Sequence, residues 1–119
     1  MYAYSEPMPT PLYVAKAELF RTLGHPVRIR VLELLQERPR PVHELLAQID
    51  IEPSSMSQQL AVLRRAGVVS SRRNGRDVIY SLSADDVSAL LTSARTLLTS
   101  VLTDNEVLVA QLRSEAAAP

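Results

Sequence analysis

Ile51–Gly67, IEPSSMSQQLAVLRRAG, is the stretch on which the fold turns. Pro53 stands where a helix start needs no backbone N–H, and Ser54 and Ser55 offer hydroxyl acceptors to the free amides of a first turn. Met56, Leu60 and Leu63 recur at helical spacing, with Val62 and Ala66 at the margins, so one stripe of this helix is buried. The other face carries Ser54, Ser55, Ser57, Gln58 and Gln59, side chains short enough for a backbone to approach base edges and able to donate and accept hydrogen bonds there. Arg65 follows at the helix end and is expected on a phosphate, Arg64 beside it on either a phosphate or a neighbouring side chain, and Gly67 serves as a left-handed cap. A Ser/Gln face is also ordinary solvated surface, so the flanking sequence has to decide.

Upstream, Val42–Ile49 reads as a short helix with Val42, Leu45, Leu46 and Ile49 inward, and a tight connection over Asp50–Pro53 joins it to the first stretch. Two short helices at that separation, the second with a polar outer face, make a helix-turn-helix. Glu37–Pro41, ERPRP, is a loop or short extended link, because a helix cannot pass through both prolines. Before it, Pro26 opens a helix to about Gln36 that is apolar over much of its circumference, which suits a central position. Leu12, Ala15, Leu19 and Leu23, with Val14 and Phe20 alongside, give a first helix over Pro11–Leu23 ending at Gly24. Residues 1–10, with two prolines and no apolar period, read as a flexible tail.

Downstream, the period changes from 3.6 to 2. Val68–Arg73 leads to Asn74–Gly75, a strong hairpin signal, and Val78, Tyr80 and Leu82 alternate on the return strand. This is a two-stranded wing with Arg72, Arg73 and Arg76 around its tip. Ser83 and Asp86 resemble a capping box for the next helix, in which Val87, Leu90, Leu91, Ala94, Leu97, Leu98, Val101 and Leu102 recur three and four apart. So long a leucine-rich stripe on a terminal helix calls for a subunit partner; the expected interface is Leu12 and Leu19 of the first helix with Leu90, Leu91, Ala94, Leu97, Leu98 and Val101 of the last. Thr103–Asn105 is expected to break or end that helix, a short helical piece to follow over Glu106–Arg113, and residues 114–119 to fray.

Composition narrows the function. The 119 residues hold no cysteine, which removes disulfides, thiolate metal sites and cysteine nucleophiles together. Aromatic content is 4% against 46% hydrophobic, which favours aliphatic helices over a large sheet. No run approaches the roughly 20 apolar residues of a membrane span, so a cytoplasmic protein is expected. The formal net charge of zero conceals a contrast: residues 53–80 hold five arginines against Asp77 alone, whereas residues 1–52 carry six bases and seven acids. Cations are therefore concentrated where a nucleic-acid backbone would be met.

Taken together, LFRTLGHPVRIRVLELL (Leu19–Leu35), VHELLAQIDIEPSSMSQQLAVLRRAGVV (Val42–Val69) and RRNGRDVIYSL (Arg72–Leu82) resemble the ArsR/SmtB family of bacterial winged-helix repressors. The predicted elements make a mainly α winged helix-turn-helix, ααααββα, over residues 11–113, dimerising through its first and last helices, and the resemblance, which spans most but not all of them, implies the same fold. It implies a homodimer on double-stranded DNA at an inverted-repeat operator, with half-sites roughly one helical turn apart. Base reading then falls to Ser54, Ser55, Ser57, Gln58 and Gln59, phosphate contact to the wing arginines, and local packing to Arg28.

The chain also departs from the family pattern. Where many members carry a Cys-x-Cys metal sensor, it reads Val42-His43-Glu44-Leu45, so sensing of thiophilic metals is excluded. His25, in the turn before Pro26, is expected as a cap or an exposed imidazole. His43, beside Glu44, is expected as a solvated or backbone-bonded histidine, and a hard-metal site of His43, Glu44 and acids of another subunit is the remaining metal-responsive alternative; no metal ligand set or cofactor is assigned. A small-molecule effector is left as the open partner. No catalytic constellation stands out, so an enzyme is not expected. A winged helix used for protein–protein contact is the other alternative, and the local +4 charge argues for DNA instead.

Overall fold

A computed structural model of the chain describes residues 9–117 and divides into two compact units, residues 1–83 and 84–119. The tail expected over residues 1–10 lies outside the described residues except for Pro9 and Thr10.

The first unit contains α1 (Leu12–Leu23), α2 (Pro26–Glu37), β1 (Arg40–Pro41), α3 (Val42–Gln48), α4 (Pro53–Arg65), β2 (Val69–Asn74) and β3 (Asp77–Leu82). Its core is aliphatic: Val31, Leu32, Leu34 and Leu35 of α2, Leu45 of α3, and Met56, Leu60 and Leu63 of α4 are buried, joined by Leu23, Ile49, Val68 and Val69. Val31, Leu32, Leu34 and Leu35 bury a broad arc of α2, while Arg30, Glu33 and Gln36 stay exposed. Pro26 stands in its first turn, and the amide of Val27 donates to Nδ1 of His25 at 3.2 Å. His25 is thus a helix cap, which satisfies one of the amides a helix start leaves open.

The sheet has three strands in the order β1-β3-β2, all antiparallel, not the two expected. Arg40 and Pro41 pair with Tyr80 and Ile79. The two prolines of ERPRP forbid a helix but not an extended edge strand, where a missing N–H is tolerated. Arg40 fixes this strand from within: its buried side chain donates from Nε to the Leu34 carbonyl at 3.0 Å and pairs with Glu37. Leu34 is in the last turn of α2, so Arg40 satisfies a carbonyl that the helix end would leave open.

Ser83 departs from the expected capping box. Its hydroxyl donates to the Gly67 carbonyl at 2.6 Å and its amide to the Val68 carbonyl at 3.1 Å, which ties the base of the hairpin to the end of α4. Gly67 itself has φ +79°, the left-handed value the cap needs.

The second unit is one helix, α5 (Asp85–Ala117). It passes unbroken through Thr103–Asn105, and residues 114–117 are helical, in contrast to the break and the frayed end read from sequence. Asp and Asn are weak helix formers rather than breakers, and α5 contains neither Gly nor Pro. The hydroxyls of Thr96, Thr99 and Thr103 donate to the carbonyls four residues earlier at 2.9–3.1 Å, which lets these polar residues sit within the helix. Leu97, Leu98, Val101 and Leu102 are exposed in the single chain, Leu97 by 67% and Leu98 by 59%. No helix among the described residues is long and apolar enough to cross a membrane.

Candidate nucleic-acid interface

The 100° step of α4 sorts its residues into a core stripe and an open face. Met56, Leu60 and Leu63 are buried, while Ser54, Ser57, Gln58 and Arg65 are exposed and Ser55 and Gln59 are half-buried. Pro53 is the first helical residue, and the amide of Met56 donates to the Glu52 carbonyl at 3.0 Å. Neither serine caps this helix: the cap position falls to Glu52, which makes no side-chain cap bond. Ser54 and Ser55 lie inside the first turn instead, because Pro53 starts the helix one residue before them.

Gln59 has a defined partner. Arg28 Nε donates to its Oε1 at 2.7 Å, and Arg28 Nη1 donates to the Thr22 carbonyl at 2.8 Å. A guanidinium has only donors, so Gln59 must turn its oxygen inward and keep Nε2 as its remaining hydrogen-bonding group. Arg28 thereby joins the end of α1 to the flank of α4, the packing role the resemblance implied. Sequence separation hid this contact, since Arg28 and Gln59 are 31 residues apart.

The wing is a tight hairpin in which Asn74 pairs with Asp77. Its central residues are Gly75 and Arg76, and positive φ is confined to Gly75, at +64°. Glycine at the first central position is the type II′ pattern, so the turn is centred one residue later than an Asn-Gly type I′ turn would be. Arg72 pairs with Ile79 and Arg73 with Val78, so adjacent arginines project from opposite faces of the hairpin. Arg72, Arg73 and Arg76 are all exposed.

The arginines of the first unit divide by partnership. Arg28, Arg30, Arg38 and Arg40 engage Gln59, Glu33, Glu44 and Glu37. Among the described residues, Arg21 on α1 and Arg64, Arg65, Arg72, Arg73 and Arg76 on α4 and the wing have no ion-pair partner, so a phosphate met by the latter breaks no ion pair. Asp77, the one acid within residues 53–80, faces His43 instead, with Nδ1 to Oδ1 at 3.8 Å. No group of three or more His, Cys, Asp or Glu residues able to hold a metal occurs among the described residues.

Residues 23–72 match the model of a helix-turn-helix domain. An HTH-type transcriptional regulator of Mycobacterium tuberculosis, Rv0081, is 54% identical over 105 residues, covering 87% of this chain and 92% of that protein. The HTH-type transcriptional repressor SmtB of the same organism is 36% identical over 76% of this chain and 67% of its own length. The chain belongs to the ArsR/SmtB family of winged helix-turn-helix transcriptional regulators. The crystal structure of M. tuberculosis Rv0081 superposes with a TM-score of 0.77 at 56% identity, over 82% of this chain and 98% of that one. That of the transcriptional repressor BigR from Xylella fastidiosa superposes with a TM-score of 0.67 at 38% identity, over 71% and 87%. The helix-turn-helix and its wing are thus the architecture of a transcriptional regulator.

Proposed function

We propose that the chain is a homodimeric repressor of its own or a neighbouring operon, which reads an inverted-repeat operator with α4 in the major groove. Ser54, Ser55, Ser57 and Gln58 face the base edges, Gln59 offers its Nε2 at the flank, and Arg65, Arg72, Arg73 and Arg76 meet phosphates on either side. The observation that carries this reading is the run of unpaired arginines beside an exposed Ser/Gln face, a charge placement that costs self-repulsion unless an anion is met. Its relatives named as repressors support the direction of regulation, and the open leucines of α5 support the dimer. The missing cysteines direct the search for an inducer away from thiophilic metals.

Fluorescence anisotropy against the DNA upstream of the gene, beside a scrambled duplex, tests this reading. Salt-sensitive binding that prefers the native duplex at two chains per site is the expected result; equal affinity for both, there and across genomic fragments, would reject it. In the same assay Gln58→Ala is expected to reduce the preference for the operator by about 1–3 kcal/mol while nonspecific affinity stays within about twofold. An equal loss on both duplexes would remove Gln58 from base reading. Arg73→Ala and Arg76→Ala should each weaken binding to every sequence and flatten the slope of log K against log salt by about 0.9; an unchanged slope would place that arginine away from phosphate.

A further inference from the structure

A cavity of about 440 Å³ opens between α4 and the base of the wing, lined by Val42, Ser57, Leu60, Ala61, Arg64, Arg65 and Tyr80. Its walls converge for two structural reasons. Residues 57, 60, 61 and 64 recur three and four apart, so they share one flank of α4. Tyr80 reaches the start of α3 because it pairs with Arg40 in β1, two residues before Val42. The pairing of β3 with β1 thus sets Tyr80 beside the start of α3.

The lining is chemically one-sided. Leu60, Ala61, Val42 and the Tyr80 ring supply an apolar floor; Arg64 and Arg65 supply two guanidiniums, and Ser57 and Tyr80 two hydroxyls. The lining contains no carboxylate, and among the described residues neither arginine has an ion-pair partner. Two unneutralised arginines among the residues that line an apolar hollow select a ligand with an anionic head and a hydrophobic body. The volume lies within the range of small-molecule sites.

We infer that this cavity binds an amphipathic organic anion, such as an aromatic carboxylate, in competition with DNA. The competition, though not the site, rests on the proposed DNA reading: an anion held here takes the donors of Ser57 and Arg65 that the operator requires. A DNA phosphate presents the same oxyanion but no apolar body, and the test must separate the two.

The ¹⁵N-labelled full chain, free of DNA, is titrated with 2-naphthoate, with its neutral counterpart 2-naphthamide, and with inorganic phosphate at matched ionic strength. Naphthoate is expected to give saturable shifts at Val42, Ser57, Ala61, Arg64 and Tyr80, with a midpoint at least tenfold lower than either control. Arg64→Gln, which removes the charge, and Ala61→Met, which fills the floor, should each raise that midpoint at least tenfold. Equal midpoints for naphthamide or phosphate, shifts confined to the leucines of α5, or no change in either variant would overturn the site. In a second arm naphthoate should release labelled operator from the parent chain, and binding at the cavity without release would overturn the competition. Failure of the parent to bind any operator would reject the proposed function and leave the DNA-free titration as the test of the site.

Discussion

A chain carrying Leu97→Asp and Val101→Asp is expected to sediment as a monomer and to bind a two-half-site operator at least about a hundredfold more weakly than the parent. Leu97, Leu98 and Val101 are exposed in the single chain, and with Leu90, Leu91 and Ala94 they form an apolar stripe over several turns of α5. Fully burying one such leucine contributes about 1.5–3 kcal/mol, and a two-fold interface counts each residue twice. Two aspartates per chain place four carboxylates in the same interface, at a cost of several kcal/mol for each charge desolvated. The operator then loses its bivalent partner: the second half-site is no longer engaged at the high effective concentration that dimerisation supplies. The substitutions lie far along α5 from any arginine of the proposed DNA interface in sequence, and circular dichroism should show the helix content of the parent. A variant that stays dimeric and keeps operator affinity would exclude this stripe as the interface.

How the sequence disclosed each part depended on the range of the interaction responsible. Helix α4 was legible because its signals are local: Pro53 at the start, Met56, Leu60 and Leu63 at helical period, Gly67 at the end. The hairpin was legible for the same reason, with Asn74–Gly75 between alternating segments, although which residues occupy the turn centre is settled by strand register rather than by the dipeptide. Features that depend on distant partners did not show. Pairing of Arg40–Pro41 with Ile79–Tyr80 joins residues about 40 positions apart, and nothing in ERPRP marks it beyond compatibility with extended backbone. The tie from Arg28 to Gln59 is similar: a Gln on a polar face carries no signal that its oxygen is already engaged. In α5, Thr103–Asn105 resembles a stop signal because Asp and Asn favour helix ends, but no Gly or Pro enforces a stop there and the preceding turns carry the helix through.

Leu63→Ala is expected to destabilise the chain by about 3 kcal/mol, within the 2–5 kcal/mol range for truncating a fully buried leucine, and to lower the melting temperature by roughly 15 °C. Leu63 has no exposed surface and lies on the core stripe of α4 with Met56 and Leu60. Removing three carbons there forfeits their transfer free energy and leaves a hollow among neighbours already at interior packing density. Gln58, five residues earlier on the exposed face, touches no core residue by that geometry, and Gln58→Ala should stay within about 0.5 kcal/mol of the parent. Thermal melts of both variants, at one fixed concentration because the proposed dimer would make the midpoint concentration-dependent, separate the two faces of the same helix. Measured well below its midpoint, Leu63→Ala should keep the parent's preference for operator over scrambled DNA, whereas Gln58→Ala keeps the melting temperature and loses the preference. A Leu63→Ala midpoint within about 3 °C of the parent would contradict the packing of α4 against α2 and β2. A lost preference in that variant at full folding would mean that the core stripe sets the position of the reading face closely enough for one hollow to displace it, making base recognition a property of the packed domain rather than of the exposed side chains alone.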